Sequence, residues 1–377
     1  MDDTASRLAA AQRFGAGLFC LGFVVAGISL FFAPARVYPS YLVGFLFWIG
    51  LTLGCFPILM IYYLVGGIWG IPVRRFLEAG IATLPLMAAL LVPLLFGFGY
   101  LYKWAQPQVL RADLLLQHKQ LYLNLPALVM RMILFFCIWG ALGFLLLRWS
   151  RRQARTTEPR PLIMLRRISA PGLVLFGLAT SFASIDWVMA LEPDWYSSIF
   201  PLIILMGQIL SALALSIILS EALASESDGP TPDQLNQLGD LLLTFVMLWA
   251  YMSISQIIII YAGNLPHEII WYLHRMRGGW LPVSWLLAIF AFSIPFLLLL
   301  FRRLKRAPAS LCGIAGGLLI IQAVCVFWYV APSFRSSLSL DWIDPFTFFG
   351  IGGGWIAVFS YRLSHSGRSA GPQEHFA

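Results

Sequence analysis

Charge is scarce in this chain. Only 11% of its 377 residues are Asp, Glu, Lys or Arg, while 60% are hydrophobic; a soluble domain carries about a quarter charged residues. An ordinary water-soluble globule is excluded. Cysteine is nearly as scarce: Cys20, Cys55, Cys137, Cys312 and Cys325 all sit inside apolar stretches, and no CxxC or CxxCH spacing occurs. The sequence therefore carries no visible framework for covalent haem, an iron-sulfur cluster or zinc, and the five read as small core residues. Histidine is missing from the apolar stretches as well, since His118, His267, His274, His365 and His375 fall in connections or in the tail. An embedded b-type haem, which draws axial imidazoles from within helices, finds none here. Long polar segments are absent too: the four longer connections, 102–122, 148–167, 221–240 and 263–280, are each too short for a soluble domain.

What remains is a series of apolar runs, each close to the roughly twenty residues a membrane-crossing helix needs. Ten are expected to span: Phe14–Phe32, Tyr41–Gly66, Ile81–Leu101, Leu123–Leu147, Ile168–Leu191, Ser197–Ser220, Leu241–Ala262, Leu281–Phe301, Leu311–Val330 and Pro345–Tyr361. None alternates as a barrel strand would, so the expectation is an all-α integral membrane protein forming one domain over 1–377. The first run follows a stretch with two arginines and two aspartates and ends without a small-residue cleavage pattern; it reads as a retained helix.

Placing the N-terminus inside puts seventeen Lys and Arg on that side: Arg7, Arg13, Arg74, Arg75, the seven arginines of 148–167, the RRLKR run, Arg362 and Arg368. Seven fall on the other side, Arg36, Lys103, Arg111, Lys119, Arg275, Arg277 and Arg335. Cytoplasmic loops collect positive residues, so both termini are expected in the cytoplasm. The net charge of +8 needs no nucleic acid, because basic inner loops meet anionic lipid headgroups.

Candidate chemistry gathers around ASIDWVMALEPDWYSSIF. Asp186 lies six residues before Glu192, hence about 9 Å deeper along a helix, where an ionised carboxylate must be protonated, paired or wetted. It is either a proton relay or a structural hydrogen-bonding group at the helix end. Glu192 and Asp194 flank Pro193, where a solvated turn is the simpler reading and membership of the relay the sharper one. Trp187, Trp195 and Tyr196 suit an aromatic belt. Arg131, the one basic residue within an expected span, would meet Asp186 or Glu192 as an ion-pair partner. In the seventh run, Tyr251, Ser253, Ser255 and Gln256 interrupt the apolar residues. Tyr251 and Ser255 share a helical face that Gln256 adjoins, which either binds helices together or lines a polar path. HEIIWYLHRMR, with Trp271 and Tyr272, reads as a short helix lying in the headgroup region. Gly313, Gly316, Gly317 and the glycines of 350–354 are expected to let helices pack closely.

DWVMALEPDWYSSIF, followed by WAYMSISQIIIIYAGNLPHEIIWY, resembles a ten-helix membrane component of bacterial alternative complex III. That complex is a quinol:cytochrome c oxidoreductase, and the component is related to the membrane subunits of polysulfide-reductase-type enzymes. The two motifs cover about forty residues, and the helix count and order agree over most of the chain. The resemblance implies two four-helix bundles, over 41–191 and 197–330, with peripheral helices. It also implies a cofactor-free subunit of a respiratory complex in a bacterial inner membrane. Haems and iron-sulfur clusters would then belong to a multihaem cytochrome and an iron-sulfur protein, beside a paralogous membrane subunit, with quinol as the substrate handled nearby. Asp186, Glu192, Asp194, Tyr251 and Gln256 match motif positions that suggest proton or quinol handling. A secondary transporter and a passive scaffold are the competing classes; a transporter would be expected to show polar or broken helices near the midplane of both halves.

Overall fold

The computed structural model describes residues 2–224 and 229–365. Ser225–Asp228 of the acidic connection, and the tail with Arg368 and His375, lie outside the described residues. The protein is an all-α integral membrane protein in architecture: helix is the dominant structure, and among the described residues there is no strand. Among the described residues ten helices are long and apolar enough to cross a membrane: α1 Thr4–Phe32, α2 Pro34–Val65, α3 Gly70–Leu95, α4 Leu125–Gln153, α5 Arg160–Leu191, α6 Phe200–Ala222, α7 Pro232–Gly263, α8 Trp280–Leu300, α9 Pro308–Ser333 and α10 Ile343–His365. They run alternately up and down. One end of the molecule therefore carries the Asp186–Phe200 motif (the motif end) and the other the arginines of 148–167 (the basic end).

Packing divides the helices into three groups. Helices α2 to α5 close one ring of four, α6 to α9 close a second, and α1 pairs with α10 along its length on the side of α2. The rings meet chiefly where α2 lies against α6. In consequence 94% of the apolar stretch of α2 is buried, against 22% for α1. The α1–α10 pairing rests on glycine: a Cβ on Gly22 would stand 2.4 Å from the Gly350 Cα, so backbones touch where side chains would hold them apart.

Local chemistry sets the helix ends. Asn124 Oδ1 accepts from Ala127 N at 2.8 Å and starts α4, with Pro126 in the first turn where its missing N–H is harmless. Thr231 and Gln234 form a reciprocal capping box at the start of α7. Asn264, at φ 46°, closes α7 in the left-handed region and turns the chain into the short helix Pro266–His274. Within α8, Ala288–Ser293 is a π-helical turn. Pro295 follows it and can neither donate a backbone bond nor tolerate the carbonyl four residues back, which accounts for the widened turn.

The third span departs from the sequence expectation of Ile81–Leu101. Its helix begins at Gly70 and ends at Leu95, so Arg74 and Arg75 are helical, and Arg131 is not the one basic residue within a span. The early start is possible because Arg74 finds partners: its Nε donates to Glu78 Oε1 at 2.8 Å and its Nη2 to Ser150 Oγ at 2.8 Å. Tyr63 and Ser150 both donate to the same Glu78 oxygen, completing a polar cluster at the basic end of the first ring. Gly313, Gly316 and Gly317 also differ from expectation, since a Cβ on any of them would meet nothing within 4 Å. They do not serve packing within this chain.

Candidate functional site at the motif end

Asp186 lies in the last turns of α5 and is 0% exposed. Arg131 reaches it from α4 with two parallel bonds, Nε to Oδ2 at 2.8 Å and Nη2 to Oδ1 at 2.9 Å. The remaining guanidinium nitrogen, Nη1, donates to Tyr122 O at 2.9 Å, and the group lies 3.9 Å from the Tyr122 ring centroid. Arg131 stands six residues inside α4, roughly 9 Å below its start, the depth at which an unpaired charge is expensive. A bidentate pair is the arrangement that best offsets desolvation of both groups. Burial and the adjacent Asp186 charge push the Tyr122 phenol well up.

The carbonyls that α5 leaves bare are met by the connection before α4. Tyr102 donates its hydroxyl to Trp187 O at 3.3 Å, Trp104 its indole N–H to Ala190 O at 3.1 Å, and Lys119 its ammonium to Pro193 O. This satisfies a helix end without water. Trp187 and Trp195, expected in an aromatic belt, are buried, with 4% and 2% of their surface exposed. Trp187 packs on Phe45 and Trp139, while Trp195 stacks on Trp271 with centroids 4.6 Å apart. Trp271 is thus an interior residue, and the helix Pro266–His274 is docked on the bundle. Tyr196 remains exposed.

Glu192 does not sit in a solvated turn. It is 8% exposed, with Oε1 accepting from Arg275 Nη1 at 3.0 Å and Ser333 Oγ at 2.7 Å, and Oε2 lying 2.9 Å from His274 Nδ1. Arg275 is buried to 1% exposure. It donates further to Trp271 O at 2.8 Å, Tyr329 O at 2.7 Å and Trp328 O at 3.2 Å, and lies 3.6 Å from the Trp271 ring centroid. Tyr329 and Trp328 belong to the last turn of α9, whose free carbonyls carry the negative end of the helix dipole. Burial lowers Arg275 to about 10 against the opposing pull of Glu192, so it stays charged at neutral pH. Burial alone would raise the Glu192 carboxyl; Arg275, Ser333 and His274 outweigh that and hold it below the ordinary carboxylate value.

Of the remaining candidates, Gln256 is buried and joins two elements: its Oε1 accepts from Ser197 Oγ at 3.0 Å, and its Nε2 donates to the Tyr272 oxygen at 2.9 Å. Burial raises Tyr272 to about 12. Tyr251 is 68% exposed and points away from the ring, so it shares no polar face with Gln256. Five residues separate the two, which at 3.6 per turn puts them on different sides of the helix. Asp194 is exposed in the turn. Sequence reading missed Arg275 and Ser333. The usable signal was Glu192 itself, an acid amid apolar neighbours that requires a partner, though nothing in HEIIWYLHRMR separates Arg275 from the exposed Arg277.

A third pair completes the pattern. Arg335, before α10, donates to Asp344 Oδ1 and Oδ2, both at 2.7 Å, and Ser40 of α2 donates to the same carboxylate at 2.6 Å. The motif end therefore holds three sheltered carboxylate–arginine pairs: one inside the first ring, one fastening the α5–α6 turn to the second, and one tying α10 to α2. Chemically, each arginine fixes its carboxylate as an acceptor, and proton uptake requires the pair to loosen. His274, 48% exposed at its side chain, carries the Glu192 cluster out to the protein surface. Among the described residues no three His, Cys, Asp or Glu side chains gather as a metal site would require. Comparison with protein-family models gives no match, and none of the curated proteins compared is significantly similar.

Proposed function

We propose that the chain is a cofactor-free, multi-pass subunit of a quinol:cytochrome c oxidoreductase of the alternative complex III type, seated in a bacterial inner membrane with both termini cytoplasmic. In this reading it contributes to quinol and proton handling and to assembly. Its partners are a paralogous membrane subunit, a multihaem cytochrome and an iron-sulfur protein, which hold the redox centres. The reading rests on the two motif strings. The observation that supports it best is that Asp186 and Glu192, the motif's two buried acids, are each built into an arginine-centred cluster at one end of the bundle. A motif that only terminated a helix would have no need of them.

The same pairs favour bracing over proton transfer in the resting protein, because a bidentate guanidinium must move before Asp186 can take a proton. Asp186→Asn separates the two roles, since the amide keeps size and hydrogen bonding but has no proton to release. The experiment isolates the complex in mild detergent and reads subunit content, quinol:cytochrome c activity and proton release on one preparation. A relay role predicts full assembly with reduced turnover or proton release; bracing predicts poor assembly. Purification of the chain as a lone active monomer would discard the respiratory reading in favour of a transporter.

A further inference from the structure

Between the two rings, running inward from near the motif end, lies a small and mainly apolar cavity to which the motif contributes Val188 and none of its acids. It has a volume of about 40 Å³, and its polar lining comes from Gln208 and Ser211 of α6 and Gln322 and Tyr329 of α9, opposite Phe47 and Gly50 of α2. Gln208 stands eight residues into α6 and Gln322 eleven before the end of α9, roughly 12 and 16 Å below the motif end. That is close to the middle of a hydrocarbon layer about 30 Å thick.

Two amides enter this seam with atoms unsatisfied, Gln322 of α9 against Gly207 of α6 and Gln208 of α6 against Gly50 of α2. Gln322 is 3% exposed, and its Nε2 has no hydrogen-bond partner; Gln208 Oε1 is likewise buried without one. One is a donor and the other an acceptor. The backbone is shaped to admit them: a Cβ on Gly207 would stand 2.8 Å from Gln322 Oε1, and a Cβ on Gly50 3.2 Å from Gln208 Cγ. Glycine at these positions brings polar side chains into a seam that larger residues would close.

A buried amide atom left bare is strongly unfavourable, more so where no bulk water lies nearby. Water occupies about 30 Å³ in the liquid and needs two to four polar partners to be held in a protein. The cavity offers a donor, an acceptor and the Ser211 and Tyr329 hydroxyl oxygens, with room for one or two molecules. It is far smaller than the roughly 300 Å³ or more of a small-molecule site, so a quinone or lipid cannot enter.

We propose that this cavity is a water-binding site, in which one or two ordered waters bridge Gln208 Oε1 of α6 to Gln322 Nε2 of α9 at the contact between the two rings. The site stands whether or not the respiratory reading does, because it depends only on the amides and the volume between them.

X-ray radiolytic footprinting tests it, since hydroxyl radicals form from waters held inside the protein and oxidise the side chains beside them. The full chain in nanodiscs, in water enriched in oxygen-18, should show labelled oxygen on Tyr329, while the buried rings of Phe56 and Phe176 stay unmodified. Gln208→Leu/Gln322→Leu should cut Tyr329 labelling several-fold. Tyr329 as silent as the two phenylalanines in the unaltered chain overturns the proposal, and that comparison holds even if the double variant does not fold. Labelling that persists in a folded double variant overturns it equally, because the amides would then not hold the water.

Discussion

At the scale of single residues, the protein meets each buried charge with an opposite one and then satisfies what is left with backbone carbonyls. Asp186 and Arg131 test this directly. Removing one partner of a buried pair strands the other and typically costs about 3–5 kcal/mol, whereas replacing both with apolar residues is often close to neutral. Arg131→Met should therefore lower unfolding free energy by roughly that amount, and Arg131→Met/Asp186→Leu should recover most of it. Tryptophan fluorescence during denaturation in mixed micelles reads both, and equal losses in the single and double variants would deny the pair a bracing role. Glu192 carries a pH dependence of definite sign. Its folded carboxyl titrates below the ordinary 4.5, so its contribution is complete above that value and disappears as pH falls through the lowered one. Glu192→Gln should be less stable than the unaltered chain at neutral pH, and the two should converge in acid. Parallel melting curves across that range would show that the Arg275 cluster does not stabilise through charge. The pairing of Arg131 was legible from its depth in an apolar run; that of Arg275 was not, because its partner lies 83 residues away and its own neighbourhood reads as surface.

At the scale of elements, the spans themselves were legible because lipid imposes a length and a composition on every crossing helix. Boundaries were less so. The third helix starts eleven residues early because Glu78 and Ser150, the latter from elsewhere in the fold, partner Arg74; hydropathy alone sees a charge and stops. The polar interruptions of α7 misled for a related reason, since Gln256 turns inward to Ser197 while Tyr251 turns out. Glycine gave mixed information: Gly22 and Gly350 lock α1 against α10, whereas Gly313, Gly316 and Gly317 touch nothing in the chain. Gly22→Leu should separate α1 from α10 and leave the two rings intact. Phe19→Cys and Gly354→Cys, whose native side chain and backbone adjoin, should crosslink in an otherwise unaltered chain and fail to do so with Leu at position 22. Undiminished crosslinking would mean the pair tolerates a side chain at its closest point.

For the whole molecule, the charge distribution predicts orientation. The basic end carries the arginines of 148–167 and the RRLKR run, and such residues are retained in the cytoplasm. In a background without native cysteines, a membrane-impermeant thiol reagent applied from outside should label Arg277→Cys and miss Arg155→Cys. The reverse pattern would invert the molecule and move the three carboxylate–arginine pairs to the cytoplasmic face. Two rings joined chiefly through α2 and α6 also make the seam between them the place where polar groups have to be accommodated across the membrane's middle.

Residue order alone determined that this is a helical membrane protein of about ten spans, and that one short motif sets three acids beside four aromatics. Those properties follow from composition and spacing, which lipid reads directly. Which helix lies at the centre was decided by tertiary structure alone. Helices α1 and α2 are almost equally apolar, yet one faces outward and the other is buried nearly throughout. Hydropathy cannot tell them apart, because a lipid tail and a protein interior are alike as solvents for an apolar side chain. Only packing, glycine contacts and the partners of buried charges distinguish them.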